Sequence, residues 1–210
     1  GPSAKVRSQT AADTLGARLT AVGRMIGLDV AVLTSDGAGP IGRGIGPTLE
    51  ALDVLAVLRR EADAPRDLRS RALDLAGRLL DIASGECGTG RPRAETLLDS
   101  GAAEAKFMAI CAAQGGFREP RTAPERLEIV AQTTGTVDAI DNRLIARIAK
   151  LAGAPRRKCA GIKLDARLGD KIEAGQLLYT IHAGSRGELD YAHAYAEAHP
   201  EALLIREDST

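Results

Sequence analysis

Apolar residues recur at helical spacing from the start of the chain. Ala11, Leu15, Leu19, Val22 and Met25/Ile26 fall on one stripe over residues 8–26, and Gly27 supplies a stop. The run Leu28-Asp-Val-Ala-Val-Leu-Thr34 is short, apolar and rich in β-branched residues, which predicts a buried strand. A helix feeding such a strand is half of an α/β unit. A glycine-rich loop, Asp36 to Gly46, follows. Pro47 then stands in the first turn of a helix predicted over 47–60. Ala64-Pro65 breaks the pattern. A helix over 66–83 carries Leu68, Ala72, Leu75, Leu79 and Ile82 on one face, and another over 93–113 stops at Gly115-Gly116.

The two prolines and the charges of 117–125 read as a linker, after which helical periodicity gives way to short strands. Leu127–Thr133 and Thr136–Ile140 flank a turn at Thr134-Gly135 and predict a hairpin. Asp141 as N-cap and Gly153 as stop frame a helix over 141–152. Strands are expected at 159–164, 167–173 and 177–182, with a turn at Glu173-Ala-Gly175. A helix over 187–198 and a strand over Ala202–Arg206 complete the pattern.

Composition narrows the function classes. Lys plus Arg and Asp plus Glu both total 28, so the formal net charge is zero, and aromatic residues are only 2% of the chain. Neither a charge-driven nucleic-acid or membrane surface nor a base-stacking platform is expected. Cys87, Cys111 and Cys159 form no C-x-x-C pair, which suits free thiols in a reducing compartment. No apolar run approaches the roughly 18 residues a spanning helix needs.

Several motifs invite chemistry. Gly37, Gly39 and Gly42 match G-x-G-x-x-G after a predicted strand, but Pro40 removes an N–H from the motif and the helix waits until Pro47. A dinucleotide site is therefore rejected. Arg43 is a cation in a tight loop, and Glu50 or Asp53 is its expected partner. His182, His193 and His199 lack metal-ligand spacing and are read as surface or core histidines. Gly169-Asp170 to His182 reads as strand, tight turn and strand. With the hairpin around Gly135 it resembles the flattened barrel of biotinyl and lipoyl carriers. A carrier needs its modified lysine at a turn between strands, whereas Lys150 is predicted on a helix and Lys158 in the loop after it.

Taken in order, these pieces resemble the thymidine (pyrimidine-nucleoside) phosphorylase family. The resemblance rests on Thr34-Ser-Asp-Gly-Ala-Gly-Pro-Ile-Gly-Arg-Gly-Ile-Gly-Pro-Thr-Leu-Glu50 with Asp53-Val54, on Ser100-Gly101, Lys106-Phe107 and Ala113-Gln-Gly-Gly116, and on Thr136 to Arg143, Ala149 to Gly153 and Gly169 to His182. It is closest to the long-form branch that also contains AMP phosphorylases and covers nearly the whole chain. Gly1 to Arg7 also resembles family sequence, so a native start is favoured over a cloning scar.

The resemblance implies an α/β fragment at about 1–120, mostly helical and ending a large α/β domain, then a small α+β carboxy-terminal domain at 121–210 with barrel-sandwich-like strands. It implies a cytoplasmic homo-oligomer that uses phosphate to split a pyrimidine nucleoside into free base and pentose 1-phosphate, with no required cofactor. The family's phosphate- and base-binding residues lie upstream of the matched segment, so no catalytic residue is carried over and this chain alone is expected to be inactive. Some short-form relatives hold a structural potassium ion at positions that match Ile41, Gly44 and Asp53, with Asp53 standing where the family has Glu and the remaining ligands upstream. An AMP phosphorylase, and from another class a non-catalytic carrier or scaffold module, are the alternatives.

Overall fold

The computed structural model describes residues 4–207; Gly1-Pro2, read above as a native start, lies outside them. The chain divides into two compact units, one holding the residues up to Gly37 together with Val57–Phe117, the other holding Ala38–Ala56 together with the chain from Arg118 onward.

The first unit is helical. Helix α1 spans Gln9–Met25, and the Ser8 hydroxyl caps it by accepting the Ala11 N–H at 3.2 Å. The expected apolar stripe of α1 is not its buried face: Leu15, Leu19, Val22 and Met25 are exposed, while Gly16 and Gly23 are buried. Segment 28–34 is not a strand, because no strand among the described residues pairs with it. Val32 and Val30 lie instead on the glycine face of α1, where a Cβ on Gly16 would stand 3.1 Å from Val32 Cγ1. The closest approach falls where α1 has no side chain to hold the segment off.

Helix α2 spans Pro47–Leu58, and its end belongs to this unit, where Val57 joins a small core with Leu73, Ala94 and Leu98. Helix α3, Arg66–Ser84, ends on Gly85 in the left-handed conformation. It too turns a different face inward: Leu73 and Gly77 are buried, while Leu75, Leu79 and Ile82 stay exposed. The helix expected at 93–113 is two, α4 at Gly90–Asp99 and α5 at Ala102–Ala113. Gly101 divides them at φ 82°, a conformation that a continuous helix does not contain.

The second unit contains two antiparallel sheets. Strands β1 (Gly44–Ile45), β2 (Glu125–Val130), β4 (Gly161–Leu164) and β6 (Leu177–Ala183) form one, in the order β1-β4-β6-β2. Strands β3 (Gly135–Ile140), β5 (Lys171–Ile172) and β7 (Leu203–Glu207) form the other, in the order β5-β3-β7. Neither expected hairpin exists. β2 pairs with β6 and β3 with β5 and β7, so the turn at Thr134-Gly135 carries the chain from one sheet to the other. The turn at Gly175 does the same between β5 and β6, held by Gly175 N–H to Ala131 O at 2.8 Å and Ala131 N–H to Gln176 O at 2.8 Å.

Both sheets feed one core. Ile162 and Ile181 enter from the first, Val137 and Ile172 from the second, and Ile145 and Ile148 from helix α6 (Asn142–Leu151). Burying each such side chain stabilises the fold by roughly 1.5–3 kcal/mol before entropy is counted. Asp141 caps α6 as expected, accepting from Arg143 N–H and Leu144 N–H. Helix α7, Arg186–Ala198, adds Leu189 and Ala192 to the same core. No helix among the described residues is long and apolar enough to cross a membrane.

Candidate functional site

The glycine loop earns its glycines by close packing. Residues 38–56 belong to the second unit, and β1, within the loop, pairs antiparallel with β4, Gly44 opposite Lys163 and Ile45 opposite Ile162. Leu164 N–H donates to Arg43 O at 2.8 Å, and Thr48 N–H donates to Lys158 O at 3.0 Å. Gly46 adopts φ 127°, and a Cβ there would stand 2.4 Å from Ala160 O. A Cβ on Gly44 would stand 2.5 Å from Leu49 O. Side chains at either position would push the loop off the sheet or off α2.

Two carboxylates from α2 collect the N–H groups of the loop. Asp53 Oδ2 accepts from Arg43 N–H at 2.6 Å and from Gly44 N–H at 2.7 Å, while Glu50 Oε1 accepts from Gly46 N–H at 2.9 Å. Successive backbone N–H groups in such a loop form an anion cradle. Here the chain's own carboxylates fill it. The loop is therefore a clasp between β1 and α2, and the rejected dinucleotide reading finds no support, since α2 begins only at Pro47.

Arg43 meets Asp53 rather than Glu50, its Nε lying 3.8 Å from Asp53 Oδ1. Asp53 is buried and Gly44 with it, whereas Ile41 is exposed. Oxygen atoms suit a hard monovalent cation. Asp53 meets that donor chemistry only in part: Oδ2 already accepts two N–H groups, and Oδ1 lies beside a guanidinium that competes for it.

The other residues singled out in the sequence lie apart. Lys150 is on α6, and Lys158 precedes β4 in a turn-rich segment; both are exposed, and neither occupies a turn between paired strands. His193 sits 3.5 Å from Glu197, and His199 Nδ1 lies 3.0 Å from Glu201. His182 is buried on β6, and its Nδ1 has no hydrogen-bond partner. Burial, with help from the charges of Arg126 and Lys163 and against that of Asp165, pushes its pKa down to about 4. All three cysteines are free thiols, and no cluster of three or more His, Cys, Asp or Glu poised for a metal occurs among the described residues.

Sequence reasoning missed two arrangements. In the first unit, Gly77 and Gly90 bring α3 and α4 to backbone contact, and Asp81 accepts the Gly90 N–H at 2.7 Å. The backbone donors at Gly90 and Gly88 hold the Asp81 carboxyl below its usual range. In the second unit, Arg157 Nε donates to Glu188 at 2.7 Å, and Ser185 donates to the other oxygen of the same carboxylate. The glycines at 77 and 90 stand 13 residues apart on separate helices, with no local spacing to betray them.

Comparison with known proteins adds what geometry alone does not. A family model described as the pyrimidine nucleoside phosphorylase C-terminal domain matches residues 136–201. A protein of Acidovorax sp. (strain JS42), named "Putative thymidine phosphorylase 1", is 53% identical over the whole chain, which covers 41% of its length. "Putative thymidine phosphorylase" of Hahella chejuensis (strain KCTC 2396) is 50% identical over the whole chain and 42% of its own length. The protein of the same name from Legionella pneumophila (strain Paris) is 50% identical, with 41% of its length covered. The chain thus spans about two fifths of the length of these relatives.

Proposed function

The chain belongs to the pyrimidine-nucleoside (thymidine) phosphorylase family, and from that premise we propose that it is the carboxy-terminal portion of a pentosyltransferase. The parent enzyme would use phosphate to cleave thymidine or a related pyrimidine nucleoside, releasing free base and (2-deoxy)ribose 1-phosphate. The observation that carries this reading is identity of 50–53% sustained over all 210 residues with proteins named for that activity.

Within this proposal, the 210 residues supply scaffold rather than chemistry. The loop that most resembles a ligand cradle is filled by Asp53 and Glu50. Residues 1–120 would end the large α/β domain, and 121–210 would form the carboxy-terminal domain, its two sheets read as a barrel-sandwich. Exposed Leu15, Leu19, Val22 and Met25 on α1 support the view that further protein packs on the first unit, since a monomer rarely leaves so contiguous an apolar face bare. A potassium ion at Ile41, Gly44 and Asp53, a homo-oligomeric parent and a cytoplasmic site remain parts of the same proposal.

Phosphorolysis by the longer parent protein, with thymidine, uridine and AMP each incubated with phosphate, tests it. Release of thymine or uracil with a pentose 1-phosphate is the expected result. Release of adenine from AMP alone would transfer the protein to the AMP phosphorylase reading, and no release from any of the three would refute a phosphorolytic role.

A further inference from the structure

The second unit holds a cavity of about 660 Å³, and no residue of the glycine clasp lines it. Its walls come from β2 and β7, the terminal strands of the two sheets. Among the described residues β2 pairs only with β6 and β7 only with β3, so each strand keeps one unpaired edge. Helix α7 and the turn at Pro200–Ala202 close one end.

Two chemistries meet in this slot. Ile129, Leu178, Leu203 and Ile205 line it with apolar surface. Glu128, Glu197 and Glu201 add three carboxylates, of which Glu201 also lies 3.0 Å from His199 Nδ1, and among the described residues the lining holds no lysine or arginine. His193, beside Glu197, is its one basic side chain. Unpaired strand edges carry N–H and C=O groups at the spacing of another extended chain, and an exposed edge invites such pairing. An extended segment sends alternate side chains to opposite sides. One set would reach the apolar lining and the other the carboxylates.

We propose that the slot between β2 and β7 binds an extended peptide segment in which apolar residues alternate with lysine or arginine. The bound segment adds a strand to an edge of the slot, seats its apolar side chains against Ile129, Leu178 and Ile205, and pairs its cations with Glu128, Glu197 and Glu201. Charge complementarity selects this occupant over an acidic segment, and the strand edges select it over a compact cation such as a polyamine.

The test is fluorescence anisotropy of the 210-residue protein with a labelled (Lys-Val)4 peptide, alongside (Glu-Val)4 and spermidine as competitor. The expected result is saturable binding of (Lys-Val)4, no binding of (Glu-Val)4, and slowed hydrogen exchange at 127–130 or 203–206 on binding. The exposed triple variant E128Q/E197Q/E201Q should bind about tenfold more weakly, the equivalent of about 1.4 kcal/mol shared among three exposed ion pairs. Equal binding of both peptides, an unweakened triple variant, full displacement by spermidine without change in exchange, or no binding because a second copy already fills the slot would each overturn the proposal.

Discussion

Asp53 holds Gly44 by its backbone: the carboxylate Oδ2 accepts the Gly44 N–H at 2.7 Å, nine residues back along the chain. The same oxygen takes the Arg43 N–H at 2.6 Å. One buried side chain thus fixes β1 to α2 and sets where the glycine loop joins the sheet. Replacing Asp53 by Ala leaves two N–H groups without their acceptor. The expected loss is about 3 kcal/mol, since hydrogen bonds to charged groups contribute roughly 1.5–3 kcal/mol each and do not add fully. Asp53→Asn keeps one acceptor oxygen and should lose less. Urea denaturation of the three proteins checks the order, and equal midpoints would mean that Asp53 does not clasp the loop.

His182 gives the second unit an acid-sensitive point. Its folded-state pKa of about 4 lies below the ordinary 6.5, so the unfolded chain binds the proton more readily. The associated stability is fully present above pH 6.5 and is lost as pH falls from there towards 4. A shift of this size corresponds to on the order of 3 kcal/mol. Stability measured by denaturant at pH 7, 5.5 and 4.5 should fall more steeply for the unsubstituted chain than for His182→Gln. Parallel slopes would mean that the histidine is not held neutral in the fold.

The α3–α4 contact admits no side chain at Gly90. A Cβ there would stand within van der Waals overlap of Gly77 O. Gly90→Ala should therefore force the helices apart and lower stability by about 1–3 kcal/mol, the usual cost of overpacking. Gly88→Ala, where a Cβ would meet nothing within 4 Å, tests the alternative that any glycine loss here destabilises, although its φ of 86° adds some backbone strain of its own. Thermal melts of both variants separate the two, with Gly90→Ala the lower.

Leu19, Val22 and Met25 form an exposed apolar face on α1, and segment 28–34 adds exposed Leu28, Val32 and Leu33 to the same unit. The isolated chain should self-associate with rising concentration, and Leu19→Glu with Met25→Glu should reduce the apparent mass. Light scattering that gives one monomer mass at every concentration would show that this surface has no need of a cover.

Elements set by local chemistry were legible in the sequence. Asp141 before an amphipathic run and Gly153 after it framed α6 to within a residue. Pro47 opened α2, and Arg43 was paired with Asp53 as one of two candidates. Partner choice was not legible. The patterns around Gly135 and Gly175 are those of strand, turn and strand whether the flanking strands pair with each other or cross between sheets, and here they cross. The buried faces of α1 and α3 were also misassigned, because Gly16, Gly23 and Gly77 bury by close approach and add nothing to an apolar stripe. At the loop, the sequence pointed to glycines and a cation. That the cradle's ligands are Asp53 and Glu50 depends on how α2 lies against the loop, which spacing does not encode.

Under the proposed function, these 210 residues would scaffold a nucleoside phosphorylase without holding its chemistry. Phosphorolysis by the purified chain, with thymidine, uridine and AMP each incubated with phosphate, tests it most directly. No release of base above the uncatalysed rate is expected from the chain alone. Base release with stoichiometric pentose 1-phosphate would place catalytic groups within the chain and contradict the claim.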